Sequence, residues 1–237
     1  MQPALAGLLA YLGEMGYGDL YVDSTRAPAR AAVAPPAAAD PASTLPLSGE
    51  AAGRASELAA LAAAAAGCTR CRLSEGRTKV VFGTGNPAAE LMFVGEGPGA
   101  DEDRQGLPFV GAAGELLNRI IQAIEKTRDE VYIANVVKCR PPGNRDPQPD
   151  EVTACRGYLD KQIALVRPRV LVALGRVAAQ TLLGNDSPIG RMRGQWFKVQ
   201  GIPTMVTYHP AALLRNPALK RPTWEDMQQV RDFLRAG

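Results

Sequence analysis

From residue 91 onward, short continuous apolar runs alternate with segments of helical periodicity, and this alternation limits the fold more than any other feature of the chain. The runs 91–95 (LMFVG), 131–137 (VYIANVV), 169–174 (RVLVAL) and 203–208 (PTMVTY) read as buried strands. Residues 112–126, 150–166, 176–183 and 224–235 read as the intervening helices. In the first of them Leu116, Leu117, Ile120, Ile121 and Ile124 share one face. Strands without polar alternation must be covered on both faces. The expected fold is therefore α/β, with a mostly parallel sheet between layers of helices.

Upstream of this region, a helix is expected over 53–66, stopped by Gly67. Residues 25–46 are rich in Ala and Pro (Pro28, Pro35, Pro36, Pro41, Pro46) and read as a semi-extended linker. Before it, residues 3–16 place Leu5, Leu8, Leu9 and Leu12 on one side of a short amphipathic helix. The expected division is an N-terminal helical extension (1–24), a linker (25–50) and a single catalytic-sized domain (51–237). The extension reads either as a partner-binding helix on a tether or as a disordered tail.

In parallel sheets, ligands bind beyond the carboxyl ends of the strands. The residues there are Gly95-Glu96-Gly97-Pro98-Gly99, Asn135 within the second strand, Gly175-Arg176, and His209-Pro210. His209 is the only histidine among 237 residues. The chain nets +3, yet from Arg191 onward it carries eight basic and three acidic residues. That surplus suits a face that follows phosphates, and equally a solvated surface. No run approaches the length of a membrane span. The first residues hold no Lys or Arg before their apolar run, unlike a secretory signal. A cytoplasmic protein is expected.

In a reducing compartment, four cysteines point to metal or redox chemistry rather than disulfides. Cys68 and Cys71 form a tight CxxC pair, while Cys139 and Cys155 lie far downstream with 15 residues between them. A compact zinc finger has two tight pairs, and a lone histidine nearly excludes mixed Cys/His sites. Spacing alone leaves open an iron–sulfur cluster, a structural zinc ion and a dithiol pair.

The loop GEGPGADEDRQGLPFVG (95–111) is glycine-rich but does not match a dinucleotide fingerprint. It resembles the first motif of the family 4 uracil-DNA glycosylases, the iron–sulfur branch of that superfamily. The resemblance continues through VFGTGNPAAELMFVGEGPG, GLPFVGAAGELLNRII, YIANVVKCRPPGNRDPQPDEVTAC, VLVALGRVAAQTLLG and HPAALLRNP, in that order, over about residues 65–235. It implies a three-layer α/β/α sandwich around a central four-stranded parallel sheet. It implies a monomeric repair enzyme that flips uracil out of DNA and hydrolyses its N-glycosidic bond. It also implies a [4Fe–4S] cluster on Cys68, Cys71, Cys139 and Cys155.

The same resemblance suggests roles for individual residues. Phe109 would stack on uracil, although a core role fits it too. Asn135 would read uracil N3–H and O4, since a carboxamide offers both an acceptor and donors. His209 would donate a hydrogen bond to O2 as charge develops there. Glu96 and Gly97 would line the pocket. Other branches carry a water-positioning Asp where this chain has Gly97, so Glu96, Asp101 or Glu102 would orient the water; Glu96 would alternatively crowd thymine's methyl group. Leu213, Leu214 and Arg215 would wedge into the DNA and hold it, or simply begin a packed helix. Cys139 and Cys155 bracket residues 141–149, and a cluster there would hold this loop, with Arg140 and Arg145, against DNA. The alternatives are a non-catalytic or covalently trapping uracil-DNA-binding relative, a glycosylase-like interaction module, and a zinc-stapled α/β domain. The loop 140–149 contains no histidine, which disfavours trapping.

Overall fold

The computed structural model describes residues 49–236. The expected helix 3–16 and nearly all of the linker lie outside the described residues. Helix α1 (Gly49–Ala66) begins at Gly49, so residues 49–50, expected to close the linker, belong to this helix. A short α2 (Leu73–Gly76) follows.

The sheet has the order β1-β3-β2-β4-β6-β5. Its centre is the expected parallel set: β2 (Leu91–Gly95), β3 (Tyr132–Asn135), β4 (Val170–Leu174) and β6 (Ile202–Thr207). Two antiparallel edge strands, β1 (Thr84–Gly85) and β5 (Trp196–Val199), were not expected. β1 pairs only two residues, too few for a periodic signal. β5 forms a hairpin with β6 through Gln200 and Gly201, both at positive φ (51° and 81°). A two-residue turn of that conformation matches the twist of the flanking strands.

The three layers follow from side-chain alternation. On β2, Leu91 and Phe93 pack into a core with α4 (Ala112–Ala123), α8 (Pro210–Arg215) and α9 (Lys220–Arg235). Met92 and Val94 face the opposite core, built with α1, α5 (Pro149–Val166), α6 (Arg176–Leu183) and the short α7 (Ile189–Met192). α9 starts four residues before the expected position. Pro222 falls in its first turn, where the missing N–H has no intrahelical partner to lose. Asp226 anchors that helix: it is fully buried, accepts from Thr207 Oγ1 on β6 (2.7 Å) and pairs with Arg193. No helix of the described residues is long and apolar enough to cross a membrane.

Because the four central strands are parallel, their carboxyl ends share one edge. β2 leads to β3 on one side, and the sheet then grows through β4 on the other. The direction therefore reverses at β2, and the loop leaving β2 opens into the crevice where α/β folds bind ligands. That loop is GEGPG. It leads into α3 (Ala100–Gln105).

Candidate active site and cysteine centre

A cavity of about 490 Å³ occupies this edge, within the range of small-molecule sites. Glu96, Gly97, Phe109, Asn135, His209 and Arg215 all line it. Residues from the ends of β2, β3 and β6 and from the loop before α4 are thus brought together across more than 110 positions of sequence.

Asn135 ends β3, opposite Gly95 in the register. It is 1% exposed, and its Oδ1 is the one buried side-chain oxygen or nitrogen among the described residues without a hydrogen-bond partner. An orphaned buried acceptor costs roughly 1–3 kcal/mol, so it marks a place where a ligand donor is awaited. Gly95 makes room for it. A Cβ on Gly95 would lie 2.4 Å from Asn135 Oδ1 and 2.6 Å from Phe109 Cζ. Gly95→Ala should therefore push both groups out of line and lower kcat/KM by about 10²-fold, the usual effect of misplacing reacting partners by ~1 Å. Steady-state kinetics beside a thermal melt would separate this loss from unfolding.

Phe109 is buried and held at a positive φ of 52°. Such a backbone persists only where its surroundings over-determine it. Three contacts do so. Gly114 lets α4 approach so closely that a Cβ there would stand 2.0 Å from the Phe109 carbonyl oxygen. Arg128 donates to the carbonyl of Pro108. Glu102 accepts from the N–H groups of Gly99 (3.1 Å), Val110 (2.9 Å) and Gly111 (3.1 Å). The Phe109 ring stands 5.4 Å from that of His209, tilted by 31°.

His209 caps α8, its Nδ1 accepting from the Ala211 N–H at 3.2 Å. The ring proton is therefore on Nε2. Burial, reinforced by the Arg215 cation, pushes its pKa down to about 4. The imidazole is neutral at physiological pH and presents an N–H donor.

Glu96 is half-buried on the cavity wall. Burial, and then the neighbouring Asp146 charge, raise its pKa to about 7, with Arg176 opposing. The other two candidate acids are committed elsewhere. Glu102 Oε1 holds the Phe109 loop and its Oε2 caps α3 at Gly99, and Asp101 pairs with Arg104 at 2.5 Å on the surface.

Two sequence expectations change here. Leu213 is completely buried in the core with α4 and α9, so it cannot enter DNA; the helical turn that buries it exposes Leu214, which is 46% exposed. Arg145 lines the cavity with its guanidinium already engaged. It forms a two-pronged bond with the buried Glu151 (2.8 and 2.7 Å), pinning the loop to α5. Asn144, Asp146, Arg176 and Tyr208 also line the cavity and went unnoticed as site residues, except that Arg176 was placed at a strand end. Their spacing carries no pattern: Asn144 and Asp146 arrive on the 141–149 loop, Arg176 at the start of α6 and Tyr208 after β6.

The four cysteines line one small separate cavity beside this site. Cys68 and Cys71 follow α1, Cys139 follows β3 and Cys155 lies on α5. Arg77 donates to Cys139 Sγ (3.4 Å) and the Lys138 N–H to Cys155 Sγ (3.3 Å). Arg70 stacks 4.8 Å above the Tyr158 ring at the rim. Among the described residues, no three Cys, His, Asp or Glu side chains converge closely enough to hold a single metal ion.

Residues 82–228 match the uracil DNA glycosylase superfamily. The chain is 48% identical over 175 residues to a type-4 uracil-DNA glycosylase of Sulfurisphaera tokodaii, covering 70% of this chain and 80% of that protein. It belongs to the type-4 uracil-DNA glycosylases. Relatives with the same description from Archaeoglobus fulgidus (44% identity; 69% of this chain, 86% of the relative) and Thermotoga maritima (44%; 71% and 90%) agree. A Bacillus phage DNA polymerase matches at 29% identity over 65% of this chain, which is 16% of that polymerase.

Proposed function

We propose that the chain excises uracil from DNA, leaving an abasic site, as the names of its type-4 relatives describe for them. The observation that carries this is the unpartnered Oδ1 of Asn135, buried in a cavity beside a flat aromatic ring. Uracil supplies what is missing. Its N3–H donates to Oδ1, while its O4 accepts from the carboxamide NH₂. Cytosine has an unprotonated N3 and an amino group at C4, so it reverses both contacts. Reaching the pocket requires the nucleotide to leave the stack. Phe109 supplies the stacking face. Leu214 fills the gap left in the duplex, and Arg215 holds the backbone.

In the reaction a water oxygen bonds to C1′ as the C1′–N1 bond breaks. The bonding pair leaves with uracil, and its charge spreads to O2. His209 Nε2–H donates to that oxygen, more strongly in the transition state than before it. Glu96 as carboxylate orients the water and takes its proton. With a pKa of about 7, Glu96 is mostly protonated at pH 6 and ionised at pH 8. Activity should therefore rise with pH through about 7. Glu96→Gln should remove that limb and cost about 10²-fold in kcat. His209 titrates near 4 and cannot produce a limb at neutral pH. A Gln variant that keeps the wild-type profile would transfer the water to another group.

The four cysteines would hold a [4Fe–4S] cluster. The donor set is soft and all-thiol, with N–H groups directed at two sulfurs. When bound, the cluster cross-links α1, the end of β3 and α5; it takes no part in breaking the glycosidic bond. The enzyme acts on uracil-containing DNA as a monomer in the cytoplasm.

The test is direct. Purified protein is incubated with an oligonucleotide containing one uracil, then treated with alkali. Strand cleavage at the uracil, and none at cytosine or thymine, is the expected result. No cleavage by iron-replete protein would overturn the proposal and favour a binding-only relative.

A further inference from the structure

Lys138 precedes Cys139 and, although a lysine, is only 2% exposed. Burying an ammonium is costly unless every donor finds a partner. Here the Nζ donates to the main-chain carbonyl of Asn135 (2.7 Å) and to Gln162 Oε1, and stands 5.7 Å from the centre of the Phe82 ring. Gln162 completes the network, its Nε2 donating to the Phe82 carbonyl (2.9 Å) and the Tyr132 hydroxyl (3.2 Å).

The topology explains why a cation is needed there. β1 pairs with Tyr132 and Ile133 only, so the outer edge of β3 has no strand beside it at Asn135. A buried carbonyl at that point must find another donor. The Lys138 ammonium takes the place of the missing strand, through a charge-assisted bond stronger than a neutral one. The same residue is tied to the cysteine centre twice, through the peptide bond to Cys139 and through its N–H on Cys155 Sγ.

We propose that Lys138 is a positioning residue that ties the Asn135 backbone, and with it the base-reading carboxamide, to the four-cysteine centre. The centre then acts on uracil recognition by fixing Lys138. This rests on the reading of Asn135 as the group that reads uracil.

The test is a double-mutant cycle on iron-replete protein, with kcat/KM for uracil excision and the inhibition constant of free uracil as readouts. Lys138→Met should lower kcat/KM about tenfold by misplacing Asn135 and weaken inhibition by uracil, with iron and sulfide content unchanged. In an Asn135→Ala background the same substitution should cost less than twofold. A residue that merely supports the fold would give equal losses in both backgrounds, and that result would overturn the proposal. If Lys138→Met does not fold, Gln162→Leu, which removes the other anchor of the ammonium, goes through the same cycle with the same two outcomes. A wild-type protein that excises no uracil would instead remove the underlying reading, so the two failures are distinguishable.

Discussion

Alanine at both Asn135 and His209 should abolish alkali-sensitive cleavage of uracil-containing DNA while leaving the protein folded. His209→Ala alone should lower kcat by about 10²–10³-fold, roughly 3–4 kcal/mol of barrier, the usual effect of deleting one preorganised donor to a developing oxyanion. The donor is preorganised because the Ala211 N–H occupies Nδ1 and leaves the proton on Nε2. The low pKa of about 4 keeps the ring neutral, so this loss should be uniform from pH 6 to 9. The variant also forfeits the α8 cap, at a cost to stability of about 1 kcal/mol, which a thermal melt would measure separately. Asn135→Ala differs in kind. It removes a buried oxygen that no group in the protein satisfies, so no hydrogen bond to that atom is lost. Activity should fall while stability changes little by this route. Full cleavage by the double variant would place the chemistry elsewhere.

Cys155→Ser should have the largest effect on stability. Cys68, Cys139 and Cys155 come from three separate elements, so a centre joining them closes loops of about 70 and 15 residues in the unfolded chain, for which cross-links contribute about 2–5 kcal/mol. Serine is a poor ligand for iron, and the brown absorbance should be weakened or lost. DNA affinity should fall, because the loop between Cys139 and Cys155 forms one wall of the cavity at the strand ends. The loss should be partial, since Arg145–Glu151, Arg140–Asn144 and Arg176–Asp146 hold that loop independently. Iron and sulfide analysis, a melt and a binding titration would check all three. Unchanged stability and unchanged DNA affinity would show that the centre is not a clamp.

The strands and helices of the central sheet were legible because each carries its own period. LMFVG reads as a strand buried on both faces, and Leu116, Leu117, Ile120 and Ile121 as one face of a helix, and the structure has both. The edges were not. β1 is two residues long, and β5 alternates between exposed and buried positions without a continuous apolar run. The Leu213–Leu214 pair shows the same limit at the site. Two adjacent leucines look equivalent in sequence, but consecutive residues on a helix point about 100° apart, so one is buried and the other exposed. Glu102 and Arg145 likewise looked available as a base and as a DNA contact. In the structure their charges are spent on backbone N–H groups and on a buried carboxylate.

The sequence by itself determined that the chain folds as an α/β layer structure, and it pointed to the carboxyl ends of the strands and to four cysteines as candidate sites. These follow from local periodicity, from strand-end residues and from the few options a set of thiols has. Only the tertiary structure decided which polar groups are already satisfied and which are waiting. Satisfaction depends on partners remote in sequence: Gly95 leaves room at Asn135 Oδ1, and Lys138 reaches back to the Asn135 carbonyl because β1 stops short. Hydrogen-bond satisfaction is a property of the packed interior, and no periodicity along the chain encodes it.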